Sequence, residues 1–217
     1  MSSTVKIKES RPDLSDYLFH FTKNANAFET LQQIISDGQI KDINKNGVIC
    51  FTEAPIYHMV EMFAFFNQYP NPMLAPYGIG IPLNKLFMEG ARPVIYGPRK
   101  EITLLDETIH WRYEPLENGR DFAWLREWRL PQQVYGLEQD EIIVITNTED
   151  EVNEYFHNIE VHIDGDWADG DWWDQSYVSN DRKYKTLSLE SIIQLNINNK
   201  RSMNDELSAQ NIVKDYD

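Results

Sequence analysis

The chain has 217 residues, of which 41% are hydrophobic and 12% aromatic, and it carries a formal net charge of −15 at pH 7. This length and apolar content indicate a globular protein with a substantial core, and no run approaches the roughly 18 apolar residues that a membrane-spanning helix needs. The acidity disfavours nucleic-acid binding as a general surface property, because such binding depends on cations that neutralise phosphates.

The N-terminal region, residues 1–16, is polar and predicts a loose arm ahead of the folded part. It lacks the apolar segment of a secretory signal, and the single cysteine, Cys50, excludes an internal disulfide. We therefore expect a cytoplasmic protein. Its folded part is predicted to be one α+β domain over residues 17–197, followed by a polar tail over residues 198–217.

The first predicted strand covers residues 17–22 and carries polar side chains beside apolar ones. In a strand, His20 and Thr22 share one face, where both side chains can contact the same ligand. For His20 alone, the simpler interpretation is a core histidine bonded to a backbone carbonyl.

A helix is predicted over residues 26–37, with Asn26 as its N-cap and Gly38 as its C′ residue. The helix period places four apolar residues on its buried stripe: Phe28, Leu31, Ile34 and Ile35. Residues 39–47 then indicate a connection with a turn.

A second strand is predicted over residues 48–53, and a helix opened by Pro55 follows it to about Gln68. Thr52 lies in a position to cap that helix. Residues 69–76 contain three prolines and predict a loop.

Residues 77–82 predict a strand whose Gly-x-Gly permits close approach of a neighbouring backbone. A phosphate-binding loop is not indicated, because the third glycine and the following helix of that motif are missing. A helical turn over 83–88, a short strand over 93–97 and an extension of the sheet at 102–104 complete this region, and residues 106–120 are polar and turn-prone.

The stretch 121–131 places a carboxylate between two arginines and two tryptophans. Alternation predicts a strand with two faces, one bearing Trp124, Arg126 and Trp128 and the other bearing Leu125, Glu127 and Arg129. A carboxylate on a half-buried strand is costly unless it is paired or used. The segment alone therefore fits either a structural ion pair of Glu127 with Arg126 or Arg129, or a functional carboxylate.

The last third of the chain predicts a buried strand over 141–146, a short helix over 149–157 and a strand over 158–163. Residues 164–174 combine five aspartates with three tryptophans and are interpreted as a solvated acidic loop. Their spacing fails the EF-hand pattern, so no metal site is predicted, and a metal-dependent hydrolase built on these aspartates is the least favoured function. Apolar periodicity returns at 187–197.

Three separated strands thus carry His20-Phe21-Thr22, Phe51-Thr52-Glu53 and Glu127. This order resembles the ADP-ribosyltransferase superfamily, in which three strands supply an Arg or His, a Ser, Thr or Tyr, and a glutamate around NAD. The Arg-Glu-Trp-Arg stretch followed by an apolar strand is similar to the abortive-infection AbiGi-like family and, more distantly, to DarT-like enzymes. The resemblance covers residues 17–146 and implies split mixed β-sheets with flanking helices and a C-terminal elaboration.

The resemblance also implies an activity, with NAD as substrate and transfer of ADP-ribose to an intracellular macromolecule, in phage defence, as a toxin or in phage counter-defence. Glu127 would be the catalytic group, because a fixed carboxylate stabilises the positive charge that develops on the ribose as nicotinamide leaves. The implied NAD-binding residues are His20, Thr22, Phe51, Thr52 and Tyr57. Among them, His20 would bind a ribose or phosphate, and Thr52 would steady Glu127.

One position departs from the superfamily pattern. Arginine- and asparagine-directed members carry Glu or Gln two residues before the catalytic glutamate, where this chain has Leu125. The loop around residues 117–120 would then have to recognise an acceptor that the sequence does not name. The alternative function is a catalytically silent acidic interaction protein on the same scaffold, of the inhibitor or antitoxin type, which binds a basic partner by charge complementarity.

Overall fold

Strands dominate the computed structural model, which describes residues 14–117, 121–168 and 171–194. In chain order the described strands are β1 (Tyr17–Phe21), β2 (Gln39–Lys41), β3 (Ile49–Thr52), β4 (Gly78–Pro82), β5 (Arg92–Pro93), β6 (Ile95–Gly97), β7 (Tyr113–Pro115), β8 (Glu127–Leu130), β9 (Val134–Gly136), β10 (Ile143–Thr146), β11 (His157–Ala168), β12 (Asp171–Arg182) and β13 (Lys185–Ser188). Seven of them form one mixed sheet in the order β13-β10-β4-β1-β3-β8-β5.

Helices flank this sheet. They are α1 (Ala27–Asp37), α2 (Ile56–Phe66), α3 (Leu83–Met88), α4 (Glu149–Tyr155) and α5 (Leu189–Gln194), with 3₁₀ helices at Arg99–Leu104, Glu107–Arg112 and Ala123–Leu125. The α+β prediction is confirmed. Within the described ranges, no helix has the length and apolar character needed to cross a membrane.

The large sheet divides between β1 and β3. These strands share one residue pair, Phe19 with Thr52, whereas β1 pairs with β4 along its whole length and β3 pairs with β8 along its whole length. One half of the sheet is therefore β13-β10-β4-β1, and the other half is β3-β8-β5. The two halves are thus joined by a single backbone pair between β1 and β3.

Two apolar clusters cover the two faces of the sheet. Leu31 of α1 packs with Leu18 and Ile79 on one face, and Phe63 of α2 packs with Phe19 on the other. The predicted stripe of α1 is confirmed, since Leu31 is fully buried and its other three members pack partly buried against the same cluster. Gly38 ends α1 in the left-handed conformation, with φ of 62°, as predicted.

The glycines of β4 permit the close approach that the sequence predicts. A Cβ atom added at Gly78 would lie 2.6 Å from the His20 carbonyl oxygen, and one at Gly80 would lie 2.9 Å from the Phe19 ring. Both distances are shorter than ordinary van der Waals contact. A side chain at Gly78 or Gly80 would therefore push β1 and its aromatic rings away from β4.

Asn26 is the N-cap residue of α1, as predicted, but its side chain makes no capping hydrogen bond, and its carbonyl oxygen accepts the backbone N–H and the hydroxyl of Thr30. The other capping prediction is wrong. Thr52 does not cap α2, whose N-cap is Pro55, because the Thr52 hydroxyl is used by the neighbouring Ala54 N–H and by a distant carbonyl. A tertiary contact thus takes the Thr52 hydroxyl away from the helix that follows it.

Several segment predictions also need correction. Residues 39–41 are not a connection but strand β2, which pairs with β9, and residues 102–104 lie in a 3₁₀ helix and do not extend the sheet. The polar region 106–120 contains a 3₁₀ helix and β7, which pairs with β6. Because these pairings join residues that are far apart in the chain, no local sequence pattern predicts them.

The stretch around Glu127 is strand only from Glu127 onward. Residues 123–125 form a 3₁₀ turn, and Arg126 adopts a left-handed backbone with φ of 46°. The predicted alternation is therefore wrong before Glu127 and right from there to Leu130. The turn begins where the Asp121 carboxylate accepts the Ala123 N–H at 2.9 Å, an interaction that ends an extended backbone.

The acidic segment 164–174 is mostly strand, which corrects the predicted loop. β11 and β12 pair from His157 with Arg182 to Ala168 with Asp171, and residues 169–170 lie outside the described residues. The preceding helix ends at Tyr155, and the apolar region that starts at Leu187 divides between β13 and α5. The predicted tail over 198–217 and residues 1–13 of the predicted arm also lie outside the described residues.

Candidate functional site

The three strands that carry the predicted site residues are neighbours in the sheet. β3 lies between β1 and β8, although residues 20, 52 and 127 are far apart in the chain. Thr52 pairs with Phe19 on one side and with Glu127 on the other. Directly paired residues of antiparallel strands project to the same face, so Thr52 and Glu127 share a face.

His20 lies beside the single residue pair that joins β1 to β3. It follows Phe19, the last residue of β1 that pairs with β3, and its Nδ1 lies 2.9 Å from the carbonyl oxygen of Cys50. Because the carbonyl accepts, Nδ1 carries the proton and Nε2 is left as an acceptor. Burial lowers the pKa of His20, the hydrogen bond that His20 donates to the Cys50 carbonyl raises it, and the charge of Lys23 lowers it further; the net shift is downward. The imidazole is therefore neutral at pH 7.

His20 and Glu127 project to opposite faces of the sheet. The His20 ring makes an edge contact with the Phe51 ring, with centroids 5.9 Å apart, and Phe51 pairs with Trp128. Alternation places these three side chains on one face and Thr52 with Glu127 on the other. The structure thus brings the three predicted strands together and places Thr52 beside Glu127, but the His20 side chain does not converge with them on one face.

Glu127 forms an ion pair with Arg129. Arg129 Nε lies 2.7 Å from Glu127 Oε1, and the side chains of both residues are 13% exposed. Arg129 also donates to Glu114 Oε2 at 2.5 Å and to the carbonyl oxygens of Trp111 and Tyr113, each at 3.1 Å. Arg129 thus makes four hydrogen bonds, which fix the position of the guanidinium beside Glu127.

The contact between Glu127 and Arg129 shifts the pKa values of Arg129 and of the neighbouring Cys50. Burial opposes the charge of Arg129, but hydrogen bonds and charge from Glu127 and Glu114 outweigh it and raise the pKa of Arg129. Burial, followed by the nearby Glu127 charge, raises the pKa of the Cys50 thiol to about 12. Cys50 is thus a protonated, unreactive thiol at neutral pH.

The turn before Glu127 is held from two sides. The Thr52 hydroxyl donates to the carbonyl oxygen of Leu125 and accepts the Ala54 N–H at 3.0 Å. The Tyr96 hydroxyl donates to the Phe122 carbonyl and accepts the Glu127 N–H, both at 3.3 Å. These bonds stabilise the left-handed conformation of the next residue, Arg126, which costs a non-glycine residue roughly 1–2 kcal/mol.

The other predicted NAD-binding residues lie in different settings. Thr22 is buried, and its hydroxyl is 2.9 Å from the carbonyl oxygens of both Ala27 and Tyr77, where it anchors the start of α1. Phe51 is 2% exposed and belongs to the core. Tyr57 is half-buried on α2, against the apolar cluster on the Glu127 face.

Sequence reasoning missed Glu114 and Tyr96. Tyr96 lies in a predicted short strand and Glu114 in the predicted turn-prone region, and neither segment carries a signal that places it beside Glu127. Glu53 and Trp128 were visible as residues but not as a pair, and the Trp128 indole N–H donates to Glu53 Oε2 at 2.8 Å.

Within the described part of the chain, no group of three or more His, Cys, Asp or Glu side chains is arranged to hold a metal ion. The chain matches no protein-family model, no curated protein and no solved structure. Its function must therefore be inferred from the geometry of these residues.

Proposed function

We propose that this protein is an NAD-dependent ADP-ribosyltransferase in which Glu127 is the catalytic residue. The observation that carries the proposal is the adjacency of β1, β3 and β8, with Thr52 paired directly to Glu127. The resemblance requires three strands that are distant in the chain to meet, and these strands are neighbours. An ADP-ribosyltransferase-like sheet, split between its first two motif strands, is part of the same proposal.

The chemistry assigned to Glu127 follows from its fixed charge. When the bond between ribose C1′ and the nicotinamide nitrogen breaks, the electron pair leaves with nicotinamide and positive charge develops on the ribose. An ionised carboxylate held in place stabilises that charge without reorganising. The acceptor then bonds to C1′ and loses its proton. Arg129 fixes the position of the carboxylate, and Thr52 fixes the turn that precedes it.

His20 is assigned to NAD binding through its ring nitrogen Nε2. Because its side chain lies on the opposite face of the sheet from Glu127, it would contact a different part of NAD from the part that Glu127 contacts. Nδ1 donates a hydrogen bond to the backbone carbonyl of Cys50. Within the described residues Nε2 has no hydrogen-bond partner, so it can accept a hydrogen bond from a ribose hydroxyl. Tyr57 remains the candidate for contact with nicotinamide on the Glu127 face. Thr22 and Phe51 contribute by positioning α1 and the His20 ring, since their polar or aromatic groups are already in contact with the protein.

Two measurements on the wild-type protein test the proposal. NAD should raise the melting temperature by mass action, by an amount equivalent to about 2.7 kcal/mol at a hundred times its Kd. Free nicotinamide should appear with time. His20→Ala should reduce the thermal shift, whereas His110→Ala should leave it unchanged, because His110 is also bonded to a carbonyl, that of Leu105, but is not on the motif strands.

One observation favours the alternative, a catalytically silent interaction protein. The Glu127 carboxylate is already paired with Arg129, and a structural ion pair would have the same geometry. If millimolar NAD gives neither a thermal shift nor nicotinamide, the transferase proposal is wrong and the interaction protein becomes the better account.

A further inference from the structure

A single hydroxyl group, that of Tyr96, spans the turn that precedes Glu127. It donates to the carbonyl oxygen of Phe122 and accepts the backbone N–H of Glu127, both at 3.3 Å. Phe122 lies before the turn, and Glu127 is the first residue of β8 after it. The hydroxyl therefore joins the two ends of a loop that contains Arg126, the residue with the left-handed backbone.

The main sheet offers no backbone acceptor to the Glu127 N–H. Beside it in the ladder between β3 and β8, the Glu53 N–H donates to the Arg126 carbonyl at 3.2 Å. Because hydrogen-bonded and non-hydrogen-bonded pairs alternate in an antiparallel ladder, Glu127 turns its N–H and C=O away from β3. On that side its carbonyl accepts the Val94 N–H at 2.8 Å, and its N–H donates to Tyr96. Tyr96 thus takes the place of a backbone acceptor at the start of β8.

The small sheet that carries Tyr96 also contacts the cation of Glu127. Tyr96 on β6 pairs in register with Glu114 on β7. Arg129 donates to the Glu114 carboxylate at 2.5 Å and to the Glu127 carboxylate at 2.7 Å. One register pair of this sheet therefore reaches Glu127 in two ways, through its backbone N–H and through its ion-pair partner.

The Tyr96 hydroxyl stays protonated at neutral pH. Burial raises the pKa of Tyr96 to about 12, although the hydrogen bond from the Glu127 N–H acts in the opposite direction. A protonated hydroxyl can donate to the Phe122 carbonyl and accept from Glu127 at the same time. Both bonds are to the backbone, so the hydroxyl acts on the position of Glu127.

We propose that Tyr96 is a positioning residue for Glu127, whose hydroxyl fixes the backbone from which the carboxylate projects. A carboxylate stabilises a developing charge only if it is held at the right place, and small displacements are costly in rate. The consequence for catalysis rests on the proposed transferase function. The positioning of the backbone does not depend on it.

Amide hydrogen exchange tests the position of Glu127 without NAD. Tyr96→Phe keeps the ring and removes the hydroxyl, so the Glu127 amide should exchange about tenfold faster than in wild type. Tyr77→Phe is the matched control, because its hydroxyl donates to Glu151 at 2.8 Å and its ring packs on the face opposite Glu127. This control should leave exchange at Glu127 unchanged. The amide of Val144 in the buried strand β10 reports any change in global stability.

Kinetics test the effect on the proposed reaction. Tyr96→Phe should lower kcat for nicotinamide release about tenfold and leave the KM for NAD unchanged, because the hydroxyl contacts the Glu127 backbone and not the nucleotide. In a Glu127→Gln background the same change should cause no further loss, since a residue that acts only through the carboxylate has nothing left to position. Tyr77→Phe should release nicotinamide at the wild-type rate.

The outcomes separate this proposal from the transferase function. Wild-type exchange at the Glu127 amide in Tyr96→Phe, or an equal loss of kcat with and without the Glu127 carboxylate, would overturn the role of Tyr96. A wild-type protein that releases no nicotinamide would contradict the transferase function. Faster exchange at Glu127 in Tyr96→Phe would then still support the positioning of that backbone by the hydroxyl.

Discussion

The two halves of the large sheet are built in different ways. In the half that contains β10, every residue of that strand is buried, and Ile143, Val144 and Ile145 are fully enclosed by apolar neighbours. In the half that contains β8, Glu127 and Arg129 occupy strand positions at 13% exposure and depend on each other for compensation. Replacing such a pair by apolar residues is often neutral or stabilising. The charged pair is therefore not required for stability in the way that the apolar residues of β10 are, and the variants below test what it contributes.

The largest stability effect is expected from Arg129→Met. This change leaves Glu127 and Glu114 without their shared cation, and loss of one partner from a buried pair typically costs about 3–5 kcal/mol. Urea unfolding measures the loss. The matched control is Arg99→Met, which breaks an ion pair with Glu117 in which Arg99 is 70% exposed, and little change is expected there. Similar losses of unfolding free energy in the two variants would show that the buried ion pair of Arg129 is no more important for stability than the exposed ion pair of Arg99.

Leu31→Ala tests the apolar side of the comparison. Leu31 is fully buried beneath the sheet, and the cavity left by its truncation should cost about 2–5 kcal/mol. Leu104→Ala is the control, because Leu104 is 81% exposed. A loss below about 0.5 kcal/mol at Leu31 would mean that α1 does not cover the core.

Gly80→Ala should destabilise the strand that supports β1. The new methyl group would meet the Phe19 ring at 2.9 Å, and overpacking of this kind costs about 1–3 kcal/mol. Gly136→Ala is matched to it, because a Cβ atom there has no neighbour within 4 Å among the described residues and the backbone needs no glycine. Equal melting temperatures for the two variants would show that the close contact between Gly80 and the Phe19 ring does not matter for stability.

The smallest effect concerns pH. The pKa of His20 is lowered in the folded protein, so the unfolded chain binds more protons near its ordinary pKa of about 6.5. Stability from this group is present above that value and falls as pH drops below it towards the lowered pKa. His20→Asn removes the titration, and its stability should vary less between about pH 7.5 and 5.5 than that of wild type. A steeper dependence would mean that folding raises the pKa of His20.

Elements with local signals could be predicted from the sequence. Helix α1 follows from its apolar stripe around Leu31 and from Gly38, whose left-handed backbone ends it. The turn Ala123–Leu125 could not be predicted in the same way, because bonds from Thr52 and Tyr96 hold it in place. Propensity yields to tertiary contacts where the partners are distant in the chain.

The candidate site could also be predicted only in part. The residue types at Thr52 and Glu127 and their order could be read from the sequence, and the sheet pairs these two residues. Which face each side chain occupies depends on register between distant strands, and a shift by one residue exchanges the faces. For this reason the sequence could not predict that His20 lies on the other face of the sheet from Glu127. It also could not predict that Arg129 donates a hydrogen bond to Glu114.

The most direct test of the proposed function is Glu127→Gln, with melting temperature and nicotinamide release measured on the same sample. The variant keeps the size of the side chain and removes the charge that would stabilise the ribosyl cation. We expect NAD to shift the melting temperature as in wild type, while nicotinamide release falls by about 10²–10³. Glu114→Gln, which also removes a carboxylate from Arg129, should retain activity. A Glu127→Gln protein that is destabilised but releases nicotinamide at the wild-type rate per folded molecule would contradict a catalytic role for Glu127.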